Sequence, residues 1–139
     1  MSRTRTVLVV EDDPDLRDAI ELIILRAGYH VISTGDGLRA VQLAREQRVH
    51  VALVDLLLPG QSGFQVTTDL KAQHGDNLKV IVMSGNASHA HRDYALAAGA
   101  EQFLPKPFTV SLLLNAITAL CPHPSDTPPG GTRLVKIGS

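Results

Sequence analysis

The sequence has almost no cysteine, no long apolar run and no surplus of charge, and each absence removes a class of function. The single Cys121 cannot form an internal disulfide. No stretch approaches the roughly 18 consecutive apolar residues of a membrane-spanning helix. The amino terminus, "MSRTRT", leads straight into a strand-like run without the apolar core of a signal peptide. The expectation is a cytoplasmic protein with no membrane association. Lys and Arg number 13 against 14 Asp and Glu, scattered along the chain, for a formal net charge of −1. That balance gives no electrostatic footprint for direct nucleic-acid binding or for an anionic membrane. A Gly-rich phosphate loop is also missing: the first strand-like run is followed by "EDDPD", which repels a phosphate unless a metal intervenes. No internal repeat is visible.

What is present suits one compact domain: 139 residues, 44% hydrophobic and 19% charged. Five short runs rich in β-branched residues recur, at 6–10, 29–33, 50–54, 79–83 and 101–104. Three of them lack polar alternation, which suits strands covered on both faces. Between them the spacing is helical. Leu16, Ala19, Ile20, Ile23 and Ala27 share one face, with Asp13 placed to cap, Pro14 at the first helical position and Gly28 just past the end. Further helices are predicted over 37–47 (burying Leu38, Val41 and Ala44), 62–73 (Phe64, Thr67 and Leu70), 88–98 and 110–120 (Leu113, Leu114 and Ile117). The fourth is only weakly amphipathic. Strand and helix alternate five times, so the predicted fold is α/β: a five-stranded parallel sheet with right-handed crossovers and five helices. A domain over 1–120 is followed by a Pro/Gly-rich tail over 121–139, predicted to be flexible or loosely docked.

In such a sheet, ligands bind at the carboxyl ends of the strands. The polar residues there are Glu11, Asp12 and Asp13 after the first run, Asp55 after the third, Ser84 after the fourth and Lys106 after the fifth. Taken singly, each has a plain explanation: "DDPD" caps a helix, Ser84-Gly85 makes a turn, and a Lys before Pro signifies nothing. Together they form a set. In the flavodoxin-like order 2-1-3-4-5 the first and third strands are neighbours, which brings Asp12 to Asp55. Glu11, Asp12 and Asp55 against Lys106 leave excess negative charge that a hard, oxygen-loving dication would cancel, Mg²⁺ ahead of Zn²⁺ or Ca²⁺. Asp55 is then either a third metal ligand or a nucleophile able to form an aspartyl phosphate. The surrounding groups supply the charge neutralisation and positioning that phosphoryl transfer requires.

The stretches "VLVVEDD", "LVDLLLPGQSG", "VIVMSGNA" and "FLPKPF", in this order and at these spacings, resemble the receiver domain of two-component response regulators. The resemblance runs from about Thr6 to Leu120. It implies Asp55 as phospho-acceptor and Asp12 as a direct Mg²⁺ ligand. Glu11 would assist through water, and the backbone carbonyl of Leu57 would be a further ligand. It also implies Ser84 as the switch hydroxyl, Lys106 as the family lysine with a cis bond to Pro107, and Phe103 at the aromatic switch position. Leu57 and Asn86 resemble positions that tune water's access to the phosphoryl group. Gly63 is expected at a turn or close approach, and Pro59 stiffens the loop. The implied partners are a sensor histidine kinase or a histidine phosphotransfer protein, and a downstream target protein, with a phosphorylation-dependent dimer as an open alternative.

No output domain is legible after the fifth helix, and the Met1 start favours a stand-alone receiver; a fragment of a hybrid histidine kinase or larger regulator is the alternative. A haloacid dehalogenase-type phosphohydrolase also uses an Asp nucleophile and Mg²⁺, but that family places a second Asp two residues on, where this chain has Leu57. A ligand binder without covalent chemistry lacks its phosphate loop here, and the complete acidic, hydroxyl and lysine set argues against an interaction-only pseudo-receiver. His89 and His91, two residues apart, suit one helix face poorly and are expected at the surface rather than on a metal. His123 lies in the tail.

Overall fold

A computed structural model of the chain describes residues 4–86 and 88–122. Its elements alternate as β1 (Thr6–Val10), α1 (Pro14–Arg26), β2 (His30–Thr34), α2 (Gly37–Glu46), β3 (Val51–Asp55), α3 (Gly63–His74), a 3-10 turn at Gly75–Asn77, β4 (Lys79–Ser84), α4 (His89–Ala97), β5 (Gln102–Pro105) and α5 (Val110–Leu120). All strand pairings are parallel and the order is β2-β1-β3-β4-β5, as the alternation predicts. Of the expected tail, only Cys121 and Pro122 fall among the described residues; His123 lies outside them.

The three central strands carry apolar side chains on both faces, because helices cover both. Val7, Val9, Val51, Leu53, Ile81 and Met83 pack with Ile20 and Ile24 of α1 and Leu113 and Ile117 of α5. On the other face, Leu8, Val10, Ala52, Val54, Val80 and Val82 pack with residues of α2, α3 and α4, among them Val41, Val66, Leu70 and Ala95. Each fully buried Val or Leu contributes about 1.5–3 kcal/mol relative to exposure. The core therefore flanks the sheet on two sides and leaves its strand ends free for polar groups.

Several details differ from the sequence reading. Leu38 is 63% exposed, not buried, and α2 instead buries Ala40, Val41, Leu43 and Ala44. In α1 the exposed Ala19 gives way to Ile24, and in α3 Val66 is buried while Phe64 is only partly so. In α5, Ala116 rather than Leu114 joins Leu113 and Ile117. Strand limits move by about one residue. Tyr29 closes α1, its N–H donating to the Ile24 carbonyl at 3.3 Å, so β2 begins at His30. Glu101 is spent on an ion pair with Lys71 at 2.6 Å, and β5 begins after it. Asp55 and Ser84 are themselves the last residues of β3 and β4.

Candidate metal and carboxylate site

Register alone delivers the site. Val10 pairs with Val54, Asp55 with Met83 and Ser84 with Pro105, so Glu11, Asp55, Ser84 and Lys106 emerge side by side at the sheet's carboxyl edge. Glu11, Asp12 and Asp55 each offer a carboxylate oxygen within 4.8 Å of the others. Glu11 and Asp55 are buried, at 1% and 5% exposure, and Asp12 is open to solvent. A dication holding oxygen ligands at about 2.0–2.6 Å is within reach of all three.

Lys106 answers part of this charge. Its Nζ donates to Glu11 Oε1 at 2.7 Å and lies 3.3 Å from Asp55 Oδ2. Burial acts to lower the Lys106 pKa, but the hydrogen bonds and charges of Glu11 and Asp55 outweigh it and hold the ammonium above its ordinary value. For Glu11 the balance is opposite: burial pushes its carboxyl upward and Asp55 adds to that, against the lowering pull of Lys106 and of the Asp13 N–H. Burial is the first cause of that rise, and a cation held among the three carboxylates would favour the ionised form of Glu11.

Local structure fixes each group. Arg17 of α1 donates from Nη1 to the Glu11 carbonyl at 2.7 Å and pins the end of β1. Nothing in the residue pattern singles out Arg17; only its place on the turn of α1 facing that carbonyl does. The Leu57 N–H donates to Asp55 Oδ1 at 3.3 Å, and Leu57 itself is 75% exposed in the following loop. The Ser84 hydroxyl accepts from the Asn86 N–H at 3.0 Å, and the Ser84 carbonyl accepts from the Lys106 N–H at 2.8 Å. The Lys106–Pro107 peptide is cis. Asp13 stands apart from the trio and caps α1, its Oδ1 accepting from the Asp15 and Leu16 N–H groups. Phe103, on β5, is not brought to the carboxylates: it is partly buried against the cluster of Val82 and Ala95. His91 is more engaged than expected, its ring stacked on Phe64 at a centroid distance of 6.4 Å and its Nδ1 2.7 Å from Ser88 Oγ.

A doubly wound parallel sheet with an acidic trio, a hydroxyl and an ammonium at its carboxyl edge defines a class of domain whose carboxylates could hold a cation. Comparison with known proteins agrees. The family model for the response regulator receiver domain matches residues 7–118. TcrX, a probable transcriptional regulatory protein of Mycobacterium tuberculosis, is 31% identical over 115 residues, 83% of this chain and 49% of that protein. The receiver domain of a sensor histidine kinase from Pseudomonas aeruginosa, with a magnesium ion coordinated in its active site cleft, is 31% identical with a TM-score of 0.77, covering 84% of this chain and 97% of that one. A response regulator protein from Burkholderia pseudomallei, with a phosphorylated aspartic acid, a calcium ion and citrate, is 27% identical with a TM-score of 0.76, covering 88% and 69%. The chain belongs to the response regulator receiver domain family. It spans about half the length of TcrX and of the other curated relatives it matches. No helix among the described residues is long and apolar enough to cross a membrane.

Proposed function

We propose that Asp55 accepts a phosphoryl group from a phosphohistidine of a sensor histidine kinase or histidine phosphotransfer protein, and that the resulting charge switches binding of a downstream target protein or is relayed onward. The observation that carries this is the setting of one carboxylate: Asp55 Oδ2 lies 3.3 Å from Lys106 Nζ, its Oδ1 accepts from the Leu57 N–H at 3.3 Å, and two further carboxylates lie within 4.8 Å. Glu11, Asp12 and Asp55, with the Leu57 carbonyl, are the groups to hold Mg²⁺. Three carboxylates against one ammonium leave a formal −2, which fits a divalent ion. When bound, Mg²⁺ supplies neutralisation of that charge and a pull on the phosphoryl oxygens. The magnesium and the phosphorylated aspartic acid of the two solved relatives support the same assignment.

In the transfer, an Asp55 oxygen attacks phosphorus; the O–P bond forms as the P–N bond to the donor imidazole breaks, and the imidazole leaves with the bonding pair and takes up a proton. Lys106 balances the charge on one phosphoryl oxygen and the Ser84 hydroxyl donates to another. Hydrolysis reverses the occupancy: water attacks phosphorus, the bond to Asp55 breaks and inorganic phosphate departs. The phosphorylated state adds roughly 1.5–2 negative charges beside Ser84 and Lys106. That change biases α4, which follows Ser84, and β5 and α5, which flank Lys106. The domain thus serves signalling in the cytoplasm, its phosphoryl chemistry confined to its own phosphorylation and dephosphorylation.

Intact-mass measurement after incubation with acetyl phosphate and Mg²⁺ tests the reading. One phosphate, labile to hydroxylamine, is expected on the unmodified chain and none on Asp55→Asn; an adduct that persists in Asp55→Asn, or none on either, overturns it. Sustained hydrolysis of simple phosphate esters would favour a phosphohydrolase instead.

A further inference from the structure

We propose that the amino edge of the sheet, at the opposite end from Asp55, carries a binding site for a small phosphate-bearing dianion. A cleft of about 230 Å³ opens there. Arg5 reaches it from just before β1, Arg48 and His50 from just before β3, Lys79 from the start of β4 and Asp76 from the 3-10 turn, with Cys121 behind them at the end of α5. Segments far apart in sequence deliver these groups because parallel strands place all their amino ends together.

The charge is what singles the cleft out. Three permanent cations against one carboxylate give the lining a formal +2, in a protein whose whole formal charge is −1. None of the three is spent on an acidic partner: among the described residues, the ion pairs are made by Arg39, Lys71 and Lys106. The charges of Arg5 and Arg48 both act on His50 and both act on Cys121, which places the two guanidiniums around the same space. Folding therefore gathers like charges and leaves them unneutralised, an arrangement that an anion relieves.

The available hydrogen bonds have the matching sense. Arginine and lysine side chains donate and cannot accept, and a guanidinium fork suits phosphate oxygens in pairs. The Thr6 N–H donates to His50 Nδ1 at 3.0 Å, so the neutral ring carries its proton on Nε2 and has one more donor to give. Arg48 Nη2 donates to the Asn77 carbonyl at 3.5 Å, one long bond that leaves the other N–H donors of the guanidinium for a ligand. The size fits inorganic phosphate or the phosphate end of a mononucleotide. These partners are chemically alike at the cleft and are separable by titration.

The isotope-labelled full chain, in EDTA at neutral pH so that the carboxylate site holds no metal, is titrated with sodium phosphate and separately with AMP, each against sodium chloride at equal ionic strength. Backbone amide resonances of Thr6, His50 and Lys79 are expected to shift saturably, with a Kd of about 1 mM or tighter. Tighter binding of AMP identifies a nucleotide as the source of the phosphate group; equal or tighter binding of inorganic phosphate identifies the free ion. The double substitution Arg5→Gln with Arg48→Gln should weaken either by at least about tenfold, with the remaining amide spectrum intact, and Lys79→Gln by less. Shifts that chloride reproduces, that do not saturate, or that survive the double substitution overturn the site.

Discussion

Gly63 sets the distance between α3 and the strand that ends in Asp55. A Cβ at this position would lie 2.3 Å from the Asp55 carbonyl oxygen and 2.7 Å from the Leu56 Cα, and both are backbone atoms that cannot swing aside. The helix approaches this closely because the Gly63 N–H donates to the Leu56 carbonyl at 2.9 Å, tying the start of α3 to the end of β3. Gly63→Ala is expected to lower stability by about 1–3 kcal/mol, read as a fall in Tm, and to slow formation of the phosphate adduct by displacing Asp55. An unchanged Tm would show that α3 can retreat without cost. The glycine was legible in the sequence as a turn or close approach; what it approaches was not, because the contact is between backbones brought together by the loop of residues 56–62. Arg17 shows the same limit, since its carbonyl partner is defined only once α1 folds back over β1.

At the scale of elements, the helix starts were legible to within a residue, though only Asp13 was read as a cap. Asp13, Asp36, Ser62, Ser88 and Thr109 each cap the helix that follows, accepting a backbone N–H within three residues. Capping is local chemistry and so can be read from a short stretch. Thr109→Ala, which removes the acceptor for the Leu112 N–H at 3.1 Å, is expected to cost about 1 kcal/mol in urea unfolding while leaving phosphorylation of Asp55 unaffected. Buried faces were less legible. A helix on a doubly wound sheet meets only part of one face, and its apolar stripe is wider than its contact. Thus Leu38 looks like a core residue by spacing yet is 63% exposed, and Leu114 is only partly buried, while the small Ala40 and Ala116 are buried.

The molecule as a whole has an acid-sensitive joint at its amino edge. Burial, then the charges of Arg48 and Arg5, hold the His50 pKa below its ordinary value of 6.5. The unfolded chain therefore takes up more protons in the window between the folded value and about 6.5, and stability rises with pH across it. The His50 contribution is fully present above that window and is lost as pH falls through it. Urea unfolding above and below the ordinary histidine pKa should show this slope, and His50→Asn, whose side-chain oxygen can still accept from the Thr6 N–H, should flatten it. An identical slope in the variant would place the acid sensitivity elsewhere.

Strand and helix order, the caps and the identity of the polar residues that end each strand are properties of the sequence by itself, because periodicity and capping act over a turn or two. The tertiary structure decided which of those residues meet. Lys106 reaches Glu11 across 95 positions, and it does so because β1, β3, β4 and β5 lie side by side in one register. The same parallel order that gathers carboxylates at one edge gathers Arg5, Arg48 and Lys79 at the other. No spacing along the chain marks that second cluster, since charge density in space depends on strand order rather than on distance in sequence.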